Sequence, residues 1–78
     1  MQKLLQDSNI GQNIQRLRKL RGLSQYDMER ELNIHDRAMS RAQYSHIEQG
    51  RANIYVSDLI LIKKILKVEF ADFFEGLE

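Results

Sequence analysis

Apolar side chains recur at helical spacing along most of the chain. Ile10, Ile14 and Leu17 follow one another at intervals of four and three residues, and the same spacing recurs within residues 59–66. Such intervals place apolar side chains on one face of a helix. The pattern predicts an all-α fold with five helices, at about residues 9–21, 25–32, 41–49, 57–66 and 68–77.

Helix starts and stops are marked by side chains that cap backbone groups. Ser24 with Asp27, and Ser40 with Gln43, have the spacing of a capping box, in which each residue satisfies an amide of the other. Ser57 is the predicted cap of the fourth helix. The isolated glycines are interpreted as breaks between elements, and they are Gly11, Gly22, Gly50 and Gly76.

Three segments lie outside the clear helical pattern. Residues 33–39 lack a period and predict a loop, and residues 53–56 are β-branched and look extended. Residues 1–9 fit either an N-terminal arm or an extra helical turn. We therefore expect an arm or helix extension at 1–9 and a single domain at 10–78.

The composition restricts the chemistry that the chain can perform. It has 78 residues and no Cys, Pro or Trp, which excludes disulfides and thiolate zinc sites. No apolar run approaches the roughly 18 residues of a membrane span, and the first residues lack a secretory signal pattern. We expect a cytoplasmic protein without a membrane partner.

The charge is distributed unevenly along the chain. Residues 16–51 carry eight basic and five acidic side chains, a net charge of +3, whereas residues 52–78 carry three and five, a net charge of −2. A basic centre followed by an acidic end suggests that one side of the molecule faces a polyanion. A merely solvated basic face is the alternative.

Three stretches share their spacing of apolar, polar and glycine residues with a known family. They read IGxxIxxLRKxxGLSQ at 10–25, SxxxYSxIExG at 40–50 and LxxIxxxLxV at 59–68. In this order they resemble the Cro/CI-type helix-turn-helix domain of phage repressors and small bacterial regulators, over about residues 10–74. The resemblance implies a compact, five-helix, lambda-repressor-like DNA-binding domain, in which helices two and three form the helix-turn-helix.

The family's DNA-contacting positions map onto residues of this chain. The resemblance implies base contacts from Arg41, Ala42, Gln43 and His46. It implies phosphate contacts from Ser24, Gln25, Ser45, Arg51 and Asn53, with Arg37 as a further candidate in the loop, and an ion pair between Arg18 and Glu48. The chemistry suits these positions, because Arg pairs bidentately with guanine, Gln with adenine, and Ala contacts a thymine methyl group.

Two features depart from the family pattern. Glu29 stands where the family usually has a small alanine between the two helices, and a buried unpaired carboxylate is costly. We expect Glu29 to point outward or to pair with Arg30 or Arg37. The connection at 33–39 is also longer than usual for the family.

The chain's C-terminal third predicts how it assembles. Apolar residues beyond those that the core needs indicate a two-fold homodimer, and the predicted interface comprises Ile60, Leu61, Ile65, Phe70, Phe73, Phe74 and Leu77. The alternative is that these residues only complete the core of one chain. A dimer would place its recognition helices about 34 Å apart on a near-palindromic operator.

The favoured function is a sequence-specific transcriptional regulator of double-stranded DNA, most simply a repressor that occupies a promoter. The alternative is an antitoxin-like or phage accessory module whose helix four binds another protein. An enzyme is not expected, because no nucleophile and base are suitably spaced and no phosphate-binding glycine loop occurs. We predict neither cofactor nor metal, and interpret His35 and Asp36 as a polar pair in the loop.

Overall fold

The computed structural model describes residues 3–4 and 10–77 of the chain. Its elements are β1 (Lys3–Leu4), α1 (Ile10–Leu20), α2 (Gln25–Ile34), α3 (Arg41–Glu48), β2 (Ile54–Tyr55), α4 (Val56–Leu66) and a 3₁₀ helix (Phe70–Phe74). The predicted helical fold is confirmed, but the described residues contain four α-helices. The predicted fifth helix is the short 3₁₀ segment, which is rich in phenylalanine, a residue of modest helix propensity, and ends before Gly76 at a positive φ of 79°.

The extended segment predicted at 53–56 contains strand β2. It pairs antiparallel with β1, with Lys3 opposite Tyr55 and Leu4 opposite Ile54. Residues 3–4 are therefore a strand and not the extra helical turn that was one alternative for residues 1–9. Residues 1–2 and 5–9, on which the arm interpretation also falls, lie outside the described residues.

Both predicted capping boxes are present. The Ser24 hydroxyl accepts from the Asp27 amide and the Asp27 carboxylate from the Ser24 amide, and Ser40 and Gln43 form the equivalent pair at the start of α3. The amide of Ser24 lowers the pKa of Asp27, as does the serine hydroxyl. The predicted cap of α4 is wrong, since Tyr55 occupies the cap position and Ser57 lies in the first turn.

The connection between α2 and α3 is shorter than predicted because α2 continues to Ile34. Asp36 has a left-handed backbone, with φ 63°, so that the Arg37 amide donates to the Leu32 carbonyl at 2.8 Å. This is the arrangement that usually places glycine after a helix. The left-handed residue that ends α2 is Asp36, and aspartate tolerates this backbone better than most residues. Because no glycine stands there, the sequence did not mark the end of the helix.

The core lies where all the helices meet. Its buried apolar side chains are Ile10, Ile14, Leu17, Met28, Leu32, Met39, Tyr44, Ile47, Ile54, Leu59, Ile62, Leu66, Val68 and Phe73. Phe73 is completely buried within one chain. It therefore presents no surface to a second copy, and its assignment to the dimer interface is wrong.

Gly11 is a packing residue and not a break between elements. It lies inside α1, and a Cβ added to it would approach the Glu48 carbonyl oxygen to 2.6 Å and the Ile47 carbonyl still more closely. Only glycine lets α1 lie this close to the end of α3. Gly22 and Gly50, by contrast, follow α1 and α3 with φ of 71° and 74°, as helix-ending glycines do.

Candidate nucleic-acid interface

Helix α3 has one buried and one exposed side. Tyr44, Ile47 and Glu48 are buried against the other helices, whereas Ala42, Gln43 and His46 are exposed. Arg41 is partly exposed at the first turn. The four residues expected to face bases thus lie on the accessible part of the helix.

The back of α3 is fixed by a buried ion pair. The Arg18 guanidinium donates to both oxygens of the Glu48 carboxylate, through Nε at 2.7 Å and Nη2 at 3.1 Å, and its Nη1 donates to the Leu23 carbonyl at 2.8 Å. The hydrogen bond from Arg18 to Glu48 raises the pKa of the guanidinium, which opposes the effect of burial. This pair ties α3 to α1 and to the turn before α2.

Gln25 joins the same group from the start of α2. Its Nε2 donates to Glu48 Oε1 at 3.0 Å, so the amide expected at a phosphate is partly held by the protein. The buried Tyr44 hydroxyl has no hydrogen-bond partner within the described part of the chain. Burial raises the pKa of Tyr44, and the Glu48 carboxylate raises it further.

Glu29 takes neither of its expected partners. Its Oε2 accepts from the backbone amide of Arg41 at 2.8 Å. This amide is one of those that a helix leaves without an internal partner at its N-terminus, where the helix dipole also favours negative charge. Pairing of Glu29 with Arg30 or Arg37 is therefore corrected to capping of α3, a contact that replaces the small-residue packing of the family.

The Arg41 side chain is held by a second residue of α2. Its guanidinium carbon lies 4.8 Å from the centre of the Tyr26 ring. Tyr26 and Glu29 are one helical turn apart and so share a face of α2. Sequence analysis missed Tyr26, and its only signal there was an aromatic residue on the polar side of the α2 pattern.

Arg37, expected at a phosphate, forms an ion pair within the protein. It donates to the Asp58 carboxylate at 2.7 and 3.3 Å, and the side chain of Asp58 is 3% exposed. This hydrogen bond raises the pKa of Arg37. The pair anchors the α2–α3 connection to the first turn of α4, and phosphate contact by Arg37 stays a prediction.

The other expected phosphate residues lie around α3. Ser24 and Arg51 are exposed at the ends of neighbouring turns, and Ser45 accepts from the Gln49 side chain at 3.0 Å. Asn53 lines a shallow groove together with Gln43 and His46 of α3. Asn53 thus lies beside the exposed side of α3, and the phosphate contacts of all four residues stay predictions.

The expected dimer residues other than Phe73 differ in exposure. Leu61, Ile65 and Leu77 are partly buried against the core, whereas Ile60, Phe70 and Phe74 are exposed to 37%, 43% and 43%. The Lys63 ammonium lies 5.2 Å from the centre of the Phe70 ring. Three apolar side chains near the C-terminus thus remain available at the surface.

Within residues 3–4 and 10–77, no group of three His, Asp or Glu side chains could hold a metal ion. His35 and Asp36 are exposed beside each other after α2. No helix of the described part is long and apolar enough to cross a membrane.

Comparison with protein families finds a helix-turn-helix match. A protein-family model described as helix-turn-helix matches residues 14–73, which include every α-helix in whole or in large part. Comparisons with curated proteins and with solved structures found no significant match.

Proposed function

The chain belongs to the Cro/CI-type helix-turn-helix family of DNA-binding regulators, and on that premise we propose that it binds a near-palindromic operator as a homodimer and represses transcription. Helix α3 enters the major groove, and α2 lies against the phosphate backbone. The observation that carries this proposal is the two-sided α3, whose back is fixed by buried contacts while Arg41, Ala42, Gln43 and His46 remain accessible.

Base reading is assigned to the first turns of α3. Arg41 offers two donors to guanine O6 and N7, Ala42 a methyl group to thymine, and Gln43 the Nε2 donor of its amide to a base acceptor. His46 lies one turn after Gln43 and is exposed on the same groove. A good bidentate contact discriminates against the wrong base by about 1–3 kcal/mol.

The phosphate contacts are assigned to the residues around α3. Ser24, Gln25, Ser45, Arg51 and Asn53 supply hydroxyl, amide and guanidinium groups, which are the usual partners of phosphate oxygens. Residues 16–51 carry a net charge of +3, and a basic surface favours association with a polyanion.

A homodimer is supported by the exposed apolar side chains at the C-terminal end. Ile60, Phe70 and Phe74 are each more than a third exposed in the single chain. In the proposed dimer they belong to one contiguous apolar patch, the kind of surface that marks an interface. A two-fold axis through this region would give inverted half-sites about 10 base pairs apart.

The test is selection of bound fragments from random duplex DNA at physiological salt, with the full chain as bait. We expect an inverted repeat, and we expect the variant Arg41→Ala/His46→Ala to lose it while retaining the wild-type circular dichroism spectrum. Lys19→Ala, which removes an exposed cation from α1, is the matched control and should select the same sequence.

Two outcomes would contradict the proposal. Salt-sensitive retention without an enriched sequence would leave only phosphate binding and would favour the protein-interaction module as the alternative function. A monomer at high concentration in equilibrium sedimentation, with and without the selected DNA, would exclude the homodimer.

A further inference from the structure

Tyr26 is a large aromatic residue on the surface of α2 that no packing requirement explains. Its side chain is 66% exposed, and its ring lies beneath the Arg41 guanidinium at 4.8 Å. One turn further along α2, the Glu29 carboxylate accepts from the Arg41 backbone amide at 2.8 Å. Two residues of α2 thus hold the backbone and the side chain of the first residue of α3.

A guanidinium that lies flat over a ring covers one of its faces and leaves its edge accessible. The N–H donors of arginine lie in the guanidinium plane, so they remain directed outward when the face is covered. Bidentate recognition of guanine uses this edge. A stacked arginine also has less conformational freedom to lose on binding, and such preorganisation strengthens binding.

We propose that Tyr26 is a positioning residue that determines specificity, because its ring orients the Arg41 guanidinium toward guanine. Glu29 fixes the start of α3 and thereby the Cα of Arg41, and Tyr26 fixes the other end of the same side chain. The inference rests on the proposed function, since it requires that Arg41 reads a base. It assigns no DNA contact to Tyr26 itself.

The experiment compares Tyr26→Leu with Tyr26→Phe on the selected duplex. Dissociation constants are measured by fluorescence anisotropy for that duplex and for duplexes substituted at single base pairs. The base pair read by Arg41 is the one whose preference disappears in Arg41→Ala. Tyr26→Phe retains the ring and is the matched control for the loss of stacking.

We expect Tyr26→Leu to lower discrimination at the base pair read by Arg41 by about two- to five-fold, as the loss of an exposed cation–π contact implies. Discrimination at the other base pairs should not change, and Tyr26→Phe should behave as the wild type. In the Arg41→Ala background, Tyr26→Leu should have no further effect on discrimination.

A measurement on the protein without DNA separates the two proposals. The Arg41 side-chain protons should show upfield NMR shifts from the Tyr26 ring in the wild type and in Tyr26→Phe, but not in Tyr26→Leu. If an operator is selected and these shifts are absent from the wild type, the positioning role is wrong and the proposed function stands.

The DNA measurements distinguish the remaining outcomes. If Tyr26→Leu and Tyr26→Phe both weaken all duplexes equally, the Tyr26 hydroxyl binds a phosphate and the proposal is overturned. Unchanged discrimination in Tyr26→Leu overturns it as well. If the wild type selects no sequence, the proposed function fails, and the positioning role fails with it.

Discussion

Replacing Glu48 by Gln tests whether the buried ion pair holds α3 in place. The substitution keeps the size of the side chain and removes its charge. Three hydrogen bonds converge on this carboxylate, two from Arg18 and one from Gln25. The side chains of Arg18 and Glu48 are only 9% and 1% exposed, so solvent cannot take the place of the lost partner.

The expected loss follows from the contacts that remain. Removing one partner of a buried ion pair typically costs about 3–5 kcal/mol, because the other charge stays buried without compensation. Arg18 retains its hydrogen bond to the Leu23 carbonyl, so we expect the lower end, about 3 kcal/mol. A domain of this length has a total stability of about 4–12 kcal/mol, and at about 4–8 °C per kcal/mol the melting temperature should fall by about 12–24 °C.

The assay is urea unfolding followed by far-ultraviolet circular dichroism, for the wild type, Glu48→Gln, Arg18→Met and the double variant Arg18→Met/Glu48→Gln. The double variant leaves no buried charge, and we expect it to lose only about 1–2 kcal/mol, much less than the two single losses combined. Single variants within about 1 kcal/mol of the wild type, or a double loss equal to their sum, would refute the reasoning.

Substitutions at three further residues test other contacts by the same unfolding assay. Gly11→Ala should lower the free energy of unfolding by more than about 2 kcal/mol, since the new Cβ meets the carbonyls at the end of α3; a gain of about 1 kcal/mol, as in an exposed helix, would mean that α3 moves aside freely. Lys67→Gly should raise the free energy of unfolding by about 1 kcal/mol, because Lys67 ends α4 with φ 57°. An unchanged free energy of unfolding would indicate that the lysine is not strained. Arg37→Leu should lower the free energy of unfolding by about 2–3 kcal/mol, because the substitution leaves the Asp58 carboxylate buried and unpaired. Arg37→Lys should recover part of this loss. If Arg37→Leu is as stable as the wild type, the ion pair does not anchor the α2–α3 connection.

The elements that depend on local sequence could be predicted. The helical spacing of apolar residues located every α-helix, and the capping boxes of Ser24 and Ser40 marked two helix starts to the residue. Each of these signals depends on side chains three or four residues apart, which contact one another within a single helical turn. The end of α2 and the start of α4 were predicted less accurately. Asp36 is not a typical residue for the left-handed position after a helix, and Tyr55 is not a typical N-cap.

The contacts that depend on tertiary packing could not be predicted. Glu29 was recognised as unusual, but its partner is a backbone amide twelve residues away, and a backbone amide has no sequence signature. The role of Gly11 arises from how closely two helices cross. Phe73 is buried because the 3₁₀ helix folds back onto α1, where the Asn13 side chain donates to the Phe73 carbonyl at 2.8 Å. The site residues of α3 were named through the family resemblance, whereas Tyr26 emerged only from the geometry.

The capping box at the start of α3 limits how Gln43 can read a base. Its Oε1 accepts from the Ser40 amide at 2.9 Å, so only the Nε2 donor remains for DNA while the box is closed. A bidentate contact with adenine needs both groups, whereas a donor alone serves N7 of either purine and O4 of thymine. We therefore expect the selected operator to show a strict guanine beneath Arg41 and a weaker preference beneath Gln43, which disfavours cytosine alone. The base frequencies at these two positions measure this directly. A strict adenine beneath Gln43 would mean that the box opens on binding, and that recognition of this base is gained at the cost of a helix cap.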